Sequence, residues 1–316
     1  MWKTRITELL GIKYPIILGA MAYISESQLV ASICHEGGTG VIASGGFSVD
    51  EVQRYIHEVR DMCGKQAVFG VNLMLQSPNK DDIAQLVCDE KVPFVTIGAG
   101  NASSYINPLH QAGIHALAIV PTVKLAERVQ ERGADAVIIE GMEAGGHDGK
   151  LTLMALMENV IPSLEIPVIS AGGISDGRGI AAALIMGSSG VQIGTRFLLA
   201  EECQTHINYK NALIHANDKD SVVTGFSKND SVRGLRNAFT KKYLEAEYDG
   251  ASIEELRALS HGTTKKAVIK GDVQNGYVLA GMSLTNLKKI QPMKEIMSEL
   301  IAETEYTLEK ASSLLK

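Results

Sequence analysis

The sequence predicts an α/β protein built on a (β/α)8 TIM barrel with a C-terminal, mainly helical insertion or lid, and three observations carry that expectation. Short β-branched or apolar runs begin at Pro15, Thr39, Ala67, Phe94, His115, Ala136, Pro167 and Gly190, spaced 21 to 31 residues apart. Runs of this kind read as parallel strands buried on both faces. Between them lie amphipathic stretches such as Gln28–His35, Val49–Arg60, Asp81–Asp89, Val123–Arg132 and Gly177–Met186, each long enough for a helix of about two to three turns. The count itself is the third observation, because eight strand-then-helix units close a barrel, whereas a doubly wound open sheet usually stops at about five or six strands.

The eight units occupy residues 1–200. Residues 201–270 change character: Lys210 to Lys242 carries seven basic residues against three acidic, and Tyr243 to Ser260 reverses to five acidic against one basic. That pattern suits a solvated helical cap or a lid whose basic face meets an acidic partner. Residues 271–316 open on the turn Gly271-Asp-Val-Gln-Asn-Gly276 and return as a helix over Pro292–Leu315. Met293, Ile296, Met297, Leu300 and Ile301 share one face of it, which would close the barrel or form a dimer contact.

Composition excludes several classes. A chain of 316 residues with 45% hydrophobic content can bury a large core, which rules out a disordered protein. A net charge of −6 and only 5% aromatic residues argue against nucleic-acid binding. No apolar segment runs long enough to span a membrane, no N-terminal leader pattern is present, and Cys34, Cys63, Cys88 and Cys203 form no CxxC pair, so a cytoplasmic protein with reduced thiols is expected. No His/Asp/Glu cluster has metal-ligand spacing, and neither a GxSxG elbow nor a Walker loop occurs.

The loops that follow the strands carry the chemistry. Glu143-Ala-Gly-Gly-His147-Asp-Gly places one imidazole in a glycine-rich loop just past the sixth strand, where barrel enzymes hold reacting groups. A surface loop histidine is the plainer account, and it is the company of the later loops that favours chemistry. Ser170-Ala-Gly-Gly-Ile-Ser-Asp-Gly177 follows the seventh strand and Gly194-Thr-Arg196 the eighth. Barrels bind phosphate between these two loops, so Gly172, Gly173, Gly194 and Thr195 are the candidate phosphate cradle. Asp176 would repel an anion and is assigned to the first turn of the next helix. Gly19-Ala-Met-Ala22, Asn72, Gly98-Ala-Gly-Asn101, Pro121 and Glu140 end other strands, where small residues leave room for a flat ring and Asn72 can bond its polar edge. Ordinary turn chemistry competes at each of these positions taken singly.

With Gly19-Ala-Met-Ala22, Phe69-Gly-Val-Asn72, Gly98-Ala-Gly-Asn101, Glu140-Gly-Met-Glu-Ala-Gly-Gly-His147, Ala171-Gly-Gly-Ile174 and Val191-Gln-Ile-Gly-Thr-Arg-Phe197 in order, the chain resembles the FMN-dependent barrel family of type II enoyl-acyl carrier protein reductases and nitronate monooxygenases. The opening Thr4-Arg-Ile-Thr-Glu-Leu-Leu10, the stretch Val71-Asn-Leu-Met-Leu-Gln-Ser-Pro78 and the insertion look closest to the enoyl reductase branch. The resemblance implies FMN with its phosphate at Gly172, Gly173, Gly194 and Thr195 and its ring near Ala20, Met21, Ala22, Asn72 and Glu140. Gly145, Ser170 and Gln192 would complete the cofactor contacts. It further implies NADH or NADPH as co-substrate, His147 at the substrate carbonyl or α-carbon, an acyl carrier protein or acyl thioester as partner, and a homodimer. In the monooxygenase branch the matching histidine acts as a base toward a nitroalkane or nitronate, and a catalytically silent FMN-binding barrel is the third possibility. The chain departs from the family's usual pattern at Ala20, at Gly38-Thr-Gly40 and at Ala280-Gly-Met282.

Overall fold

The eighth barrel strand pairs back onto the first, which closes the sheet. The computed structural model describes residues 2–314, so Met1 and the expected helix end at Leu315 lie outside the described residues. Its strands in chain order are β1 (Ile16–Leu18), β2 (Thr39–Ile42), β3 (Gly70–Met74), β4 (Phe94–Gly98), β5 (His115–Val120), β6 (Ala136–Glu140), β7 (Gly146–His147), β8 (Val168–Ala171), β9 (Gly190–Ile193), β10 (Ser221–Thr224) and β11 (Val232–Leu235). The closed parallel barrel runs β1-β2-β3-β4-β5-β6-β8-β9, and the register Ile17↔Gln192 makes the closing pair. All eight expected strands are present, although β3 starts at Gly70, after the run beginning at Ala67.

Strand alternation divides each strand's side chains between two cores. Ile17, Val41, Phe94, Leu117, Ile138 and Ile169 point inward and pack with one another. Their neighbours Ile16, Leu18, Ile42, Val95 and Val137 face the surrounding helices. The helix Arg5–Leu10, held at its start by a Thr4–Thr7 capping box, plugs the N-terminal end of the barrel with Ile6 and Leu10. Burying that end leaves only the C-terminal mouth open to a ligand.

The outer helical ring is completed out of order. Helices Ser27–His35, Val49–Cys63, Lys80–Asp89, Ser103–Gln111, Val123–Glu131, Leu153–Val160 and Gly177–Ile185 follow the first seven barrel strands. After β9 the chain instead makes a short 3-10 turn, Thr195–Leu199, and leaves the barrel. The place of the eighth helix is taken by Met293–Ser313, which packs between Gly177–Ile185 and Ser27–His35. The contact is so close that a Cβ on Gly177 would lie 2.4 Å from the Thr304 nitrogen. The stripe Met293, Ile296, Met297 and Leu300 is therefore buried within the chain; of the two uses expected for it, closing the barrel is the one observed.

Residues 201–270, expected to form a helical cap, carry the helices Ile207–His215, Ala238–Tyr248, Ile253–Ser260 and Thr263–Lys270. The cap also carries a hairpin that sequence patterning missed. Strands β10 and β11 are antiparallel, and β11 pairs in turn with β7 through Val232↔His147 and Arg233↔Gly146. The charge block is not one solvated face either. Lys210 is buried and donates to the Ala200 carbonyl at 2.6 Å, and Arg233 is buried and donates to the Met142 carbonyl at 2.8 Å.

Candidate active site

A cavity of about 280 Å³ occupies the C-terminal mouth of the barrel. Its floor is the uppermost inward layer of the strands: Gly19, Ala43, Asn72, Thr96, Ile119, Glu140, Ala171 and Gln192. Small residues at several of these positions create the space, since larger ones would continue the packed layers below. Asn72 is fixed by donating from Nδ2 to the Thr96 hydroxyl at 3.1 Å, which leaves its carbonyl oxygen toward the cavity side free to accept. The Gln192 side chain lies across Gly19, with Nε2 3.2 Å from where a Cβ would stand.

Of the residues expected from the sequence, Ala20, Met21, Ala22, Asn72, Glu140, Gly145, His147, Gly172, Gly173, Gln192, Gly194 and Thr195 all line this cavity. Ser170 does not. Ile169 and Ala171 point into the barrel, so alternation turns Ser170 outward, where its hydroxyl meets Ser188 Oγ at 2.5 Å in full burial. Pro121 and Asn101 lie exposed at strand ends outside the lining. Asp176 stands one residue before its helix as the N-cap, accepting from the Gly179 amide at 3.0 Å and ion-paired with Arg178, so its charge is turned away from the cavity.

One end of the cavity is a close-packed glycine loop. Gly172 has φ +94°, and a Cβ there would stand 2.9 Å from the Gly141 carbonyl oxygen and 3.1 Å from the Ala144 nitrogen. Only glycine accommodates both the backbone angle and the approach. Gly194 precedes the 3-10 turn at Thr195, whose hydroxyl accepts from the Gly281 amide at 2.9 Å. Ser283 donates to the Gly173 carbonyl at 2.5 Å, and the Met282 amide donates to the Glu143 carbonyl at 2.9 Å. The returning segment 280–283 thus seals the cradle with its backbone, and the Met282 side chain remains exposed. The departures at Gly38 and Gly40 lie at the other end of the barrel against Ile33 and Val30 of the first outer helix. Ala20 lines the cavity while packing on the barrel-interior core.

His147 stands where two cavities meet. Besides the barrel mouth it lines a second cavity of about 530 Å³ under the cap, together with Gln76, Thr224, Asp230, Tyr243, Arg257, Ser260, Thr263 and Tyr277. The cleft walls deprive the ring of bulk water even though one face stays open to solvent, and this holds its pKa below the ordinary value, partly offset by Asp230. A neutral imidazole results at neutral pH, able to donate one N–H or to accept a proton. Beneath it, burial pushes Glu140 up to about 7, with the nearby Asp148 adding to the rise. Burial likewise raises Asp148 to about 6 against the pull of Arg233, whose Nε lies 3.5 Å from Asp148 Oδ2. Asp148, Asp230 and Arg257 were not singled out from the sequence. Asp148 could have been, as the neighbour of His147; the other two sit inside the charge blocks, and nothing in their spacing marks them.

The barrel mouth and its glycine loops agree with the comparisons to known proteins. The family model described as nitronate monooxygenase matches residues 3–86 and 83–303. A protein named probable nitronate monooxygenase from Staphylococcus aureus (strain JH9) is 29% identical, over 95% of this chain and 97% of its own length. Among solved structures, FabK from Thermotoga maritima is 39% identical with a TM-score of 0.95, covering 99% of this chain and 100% of that one. Nitroalkane oxidase from Streptomyces ansochromogenes is 27% identical with a TM-score of 0.86, covering 97% and 100%. A match spanning the strands, the glycine cradle and the His147 loop together shows that the chain belongs to the nitronate monooxygenase family of oxidoreductases.

Proposed function

We propose that this chain is an FMN-dependent oxidoreductase that uses NADH or NADPH to reduce trans-2-enoyl thioesters carried on an acyl carrier protein, as in fatty acid synthesis. The observation that carries the reading is the position of His147 between the two cavities. A compact alkyl nitronate needs only the space at the barrel mouth. The second cavity, lined by hydroxyls, a glutamine and the Asp230–Arg257 ion pair, suits the long amide-bearing arm of a thioester.

The residues present fit FMN. Gly172, Gly173, Gly194 and Thr195 would hold the phosphate, and Ala20, Met21, Ala22, Asn72 and Gln192 offer the ring a shallow floor with two amides at its polar edge. Bound there, FMN would supply hydride transfer. His147 would orient the substrate by donating N–H to the thioester carbonyl oxygen, a role open to a neutral ring. Glu140, pushed up to about 7 and so holding its proton on the acid side of neutrality, would there donate a hydrogen bond into the cavity without adding charge. Exposed Lys219, Arg236, Lys241 and Lys242 would meet an acidic carrier protein, whereas Lys210 and Arg233 are used internally.

Nitronate oxidation is the second reading, favoured by the family match and by the lowered pKa of His147, which suits a base toward a nitroalkane carbon. Anaerobic stopped-flow separates the two, with the pre-reduced protein mixed with a thioester in one arm and the oxidised protein mixed with a nitronate or with NADH or NADPH in the other. Rapid flavin reoxidation by a trans-2-enoyl thioester supports the reductase; flavin reduction by an alkyl nitronate, with none by NADH or NADPH, supports the alternative.

A further inference from the structure

Away from the barrel mouth, the helices Ser27–His35 and Val49–Cys63 bring two thiols and an imidazole together. Cys63 Sγ lies 3.3 Å from His35 Nε2 and donates to the Ala31 carbonyl at 3.6 Å. Ala31, Cys34 and His35 are spaced to share one helix face, so Cys63 sits over the ridge that carries Cys34. Cys63 Sγ thus touches Ala31 and His35, the residues on either side of Cys34 along that face, while the Cys34 S–H donates to the Val68 carbonyl at 3.4 Å. Both cysteines are half-buried, and neither belongs to the cavity lining. Cys88 and Cys203 lie on other elements, Cys203 fully buried.

We propose that Cys63 is an oxidation site for hydroperoxides and that Cys34 resolves it as an intramolecular disulfide. The Cys63 thiolate attacks the terminal peroxide oxygen, forming an S–O bond as the O–O bond breaks and an alcohol or water leaves after taking up a proton. The Cys34 sulfur then displaces the sulfenic oxygen as water, and the S–S bond forms. Two thiols lose two electrons, and one peroxide is reduced by two. The local chemistry supports this division of roles. The neighbouring Cys34, then the His35 ring, hold the Cys63 thiol down at about 7, while the same neighbourhood and burial push Cys34 well up and keep it protonated. Cys63 ends its helix, where the helix dipole opposes a thiolate, so the stabilisation comes from these two side chains and not from position alone.

The test is peptide mapping of the flavin-loaded, full-length protein by mass spectrometry after a stoichiometric pulse of cumene hydroperoxide. The expected product is a Cys34–Cys63 linked peptide within one chain. In untreated protein at neutral pH, iodoacetamide should modify Cys63 at least about tenfold faster than Cys88. Cys34→Ser should divert Cys63 to the sulfinic acid, and Cys63→Ser should leave Cys34 reduced. Equal alkylation of Cys63 and Cys88 would overturn the proposal without recourse to any variant, as would a disulfide that joins separate chains.

Discussion

His147 lies in antiparallel register with Val232, so the loop that leaves the sixth barrel strand and the hairpin of the cap are one sheet. Val232 lines the second cavity beside His147. The imidazole is therefore positioned from two sides, by the barrel through β6 and by the cap through β11. Removing the ring while keeping its volume tests its role. His147→Gln is expected to lower kcat by about 10²- to 10⁴-fold while flavin content stays unchanged. Activity within about twofold of the parent, at full flavin occupancy, would take His147 out of the mechanism.

The cradle makes a separate prediction. At Gly172 an alanine methyl would press on the Gly141 carbonyl and the Ala144 nitrogen while the backbone holds φ +94°. Gly172→Ala is expected to purify colourless or with most of its flavin lost, and to lose about 1–3 kcal/mol of stability from backbone strain. Flavin content read from the visible absorbance of the purified variant checks it.

Glu140 links the site to stability. Its carboxyl titrates at about 7 in the fold against 4.5 for the free group. Between those values the native state holds a proton that the unfolded chain has released, so stability falls as pH rises from about 4.5 through 7. Glu140→Gln should remove that loss. Urea unfolding of the flavin-stripped protein is expected to show the variant stabilised by about 3 kcal/mol at pH near 8.5, and unchanged at pH near 4. A variant less stable at the higher pH would contradict the assignment.

Asp148 and Arg233 tie the loop to the cap from within. Arg233 is buried, so Asp148→Ala leaves its guanidinium with two neutral acceptors, Met142 O and Ser221 Oγ, and no carboxylate. The expected cost is about 3 kcal/mol. An unchanged urea midpoint would show that the pair contributes nothing.

Much of this architecture was legible in the sequence because a parallel barrel writes itself as repeated apolar runs, and all eight appear as strands. That Gly172, Gly173 and Gly194 would line the mouth was legible for a related reason: glycine pairs on consecutive strand ends leave room at the open end of the barrel. Ser170 was misread because loop membership says nothing of which way a side chain points, and the in-out alternation fixed by Ile169 and Ala171 turns it away. The β10–β11 hairpin was hidden because β11 is only four residues long and two of them are Arg233 and Gly234. Its strand character comes from pairing with β7, a partner more than 80 residues earlier in the chain. Asp230 and Arg257 were invisible for the same reason, being brought to His147 by the folding of the cap.

The central claim is that this chain, with FMN held at the barrel mouth, would reduce an enoyl thioester that His147 orients. The most direct measurement is the visible spectrum of the protein loaded with FMN under anaerobic conditions, first with NADPH or NADH and then with a trans-2-enoyl thioester. The account predicts bleaching by the reduced nicotinamide and full return of the flavin band on adding the thioester. A flavin that stays bleached in the thioester's presence, or that NAD(P)H does not bleach at all, would contradict it.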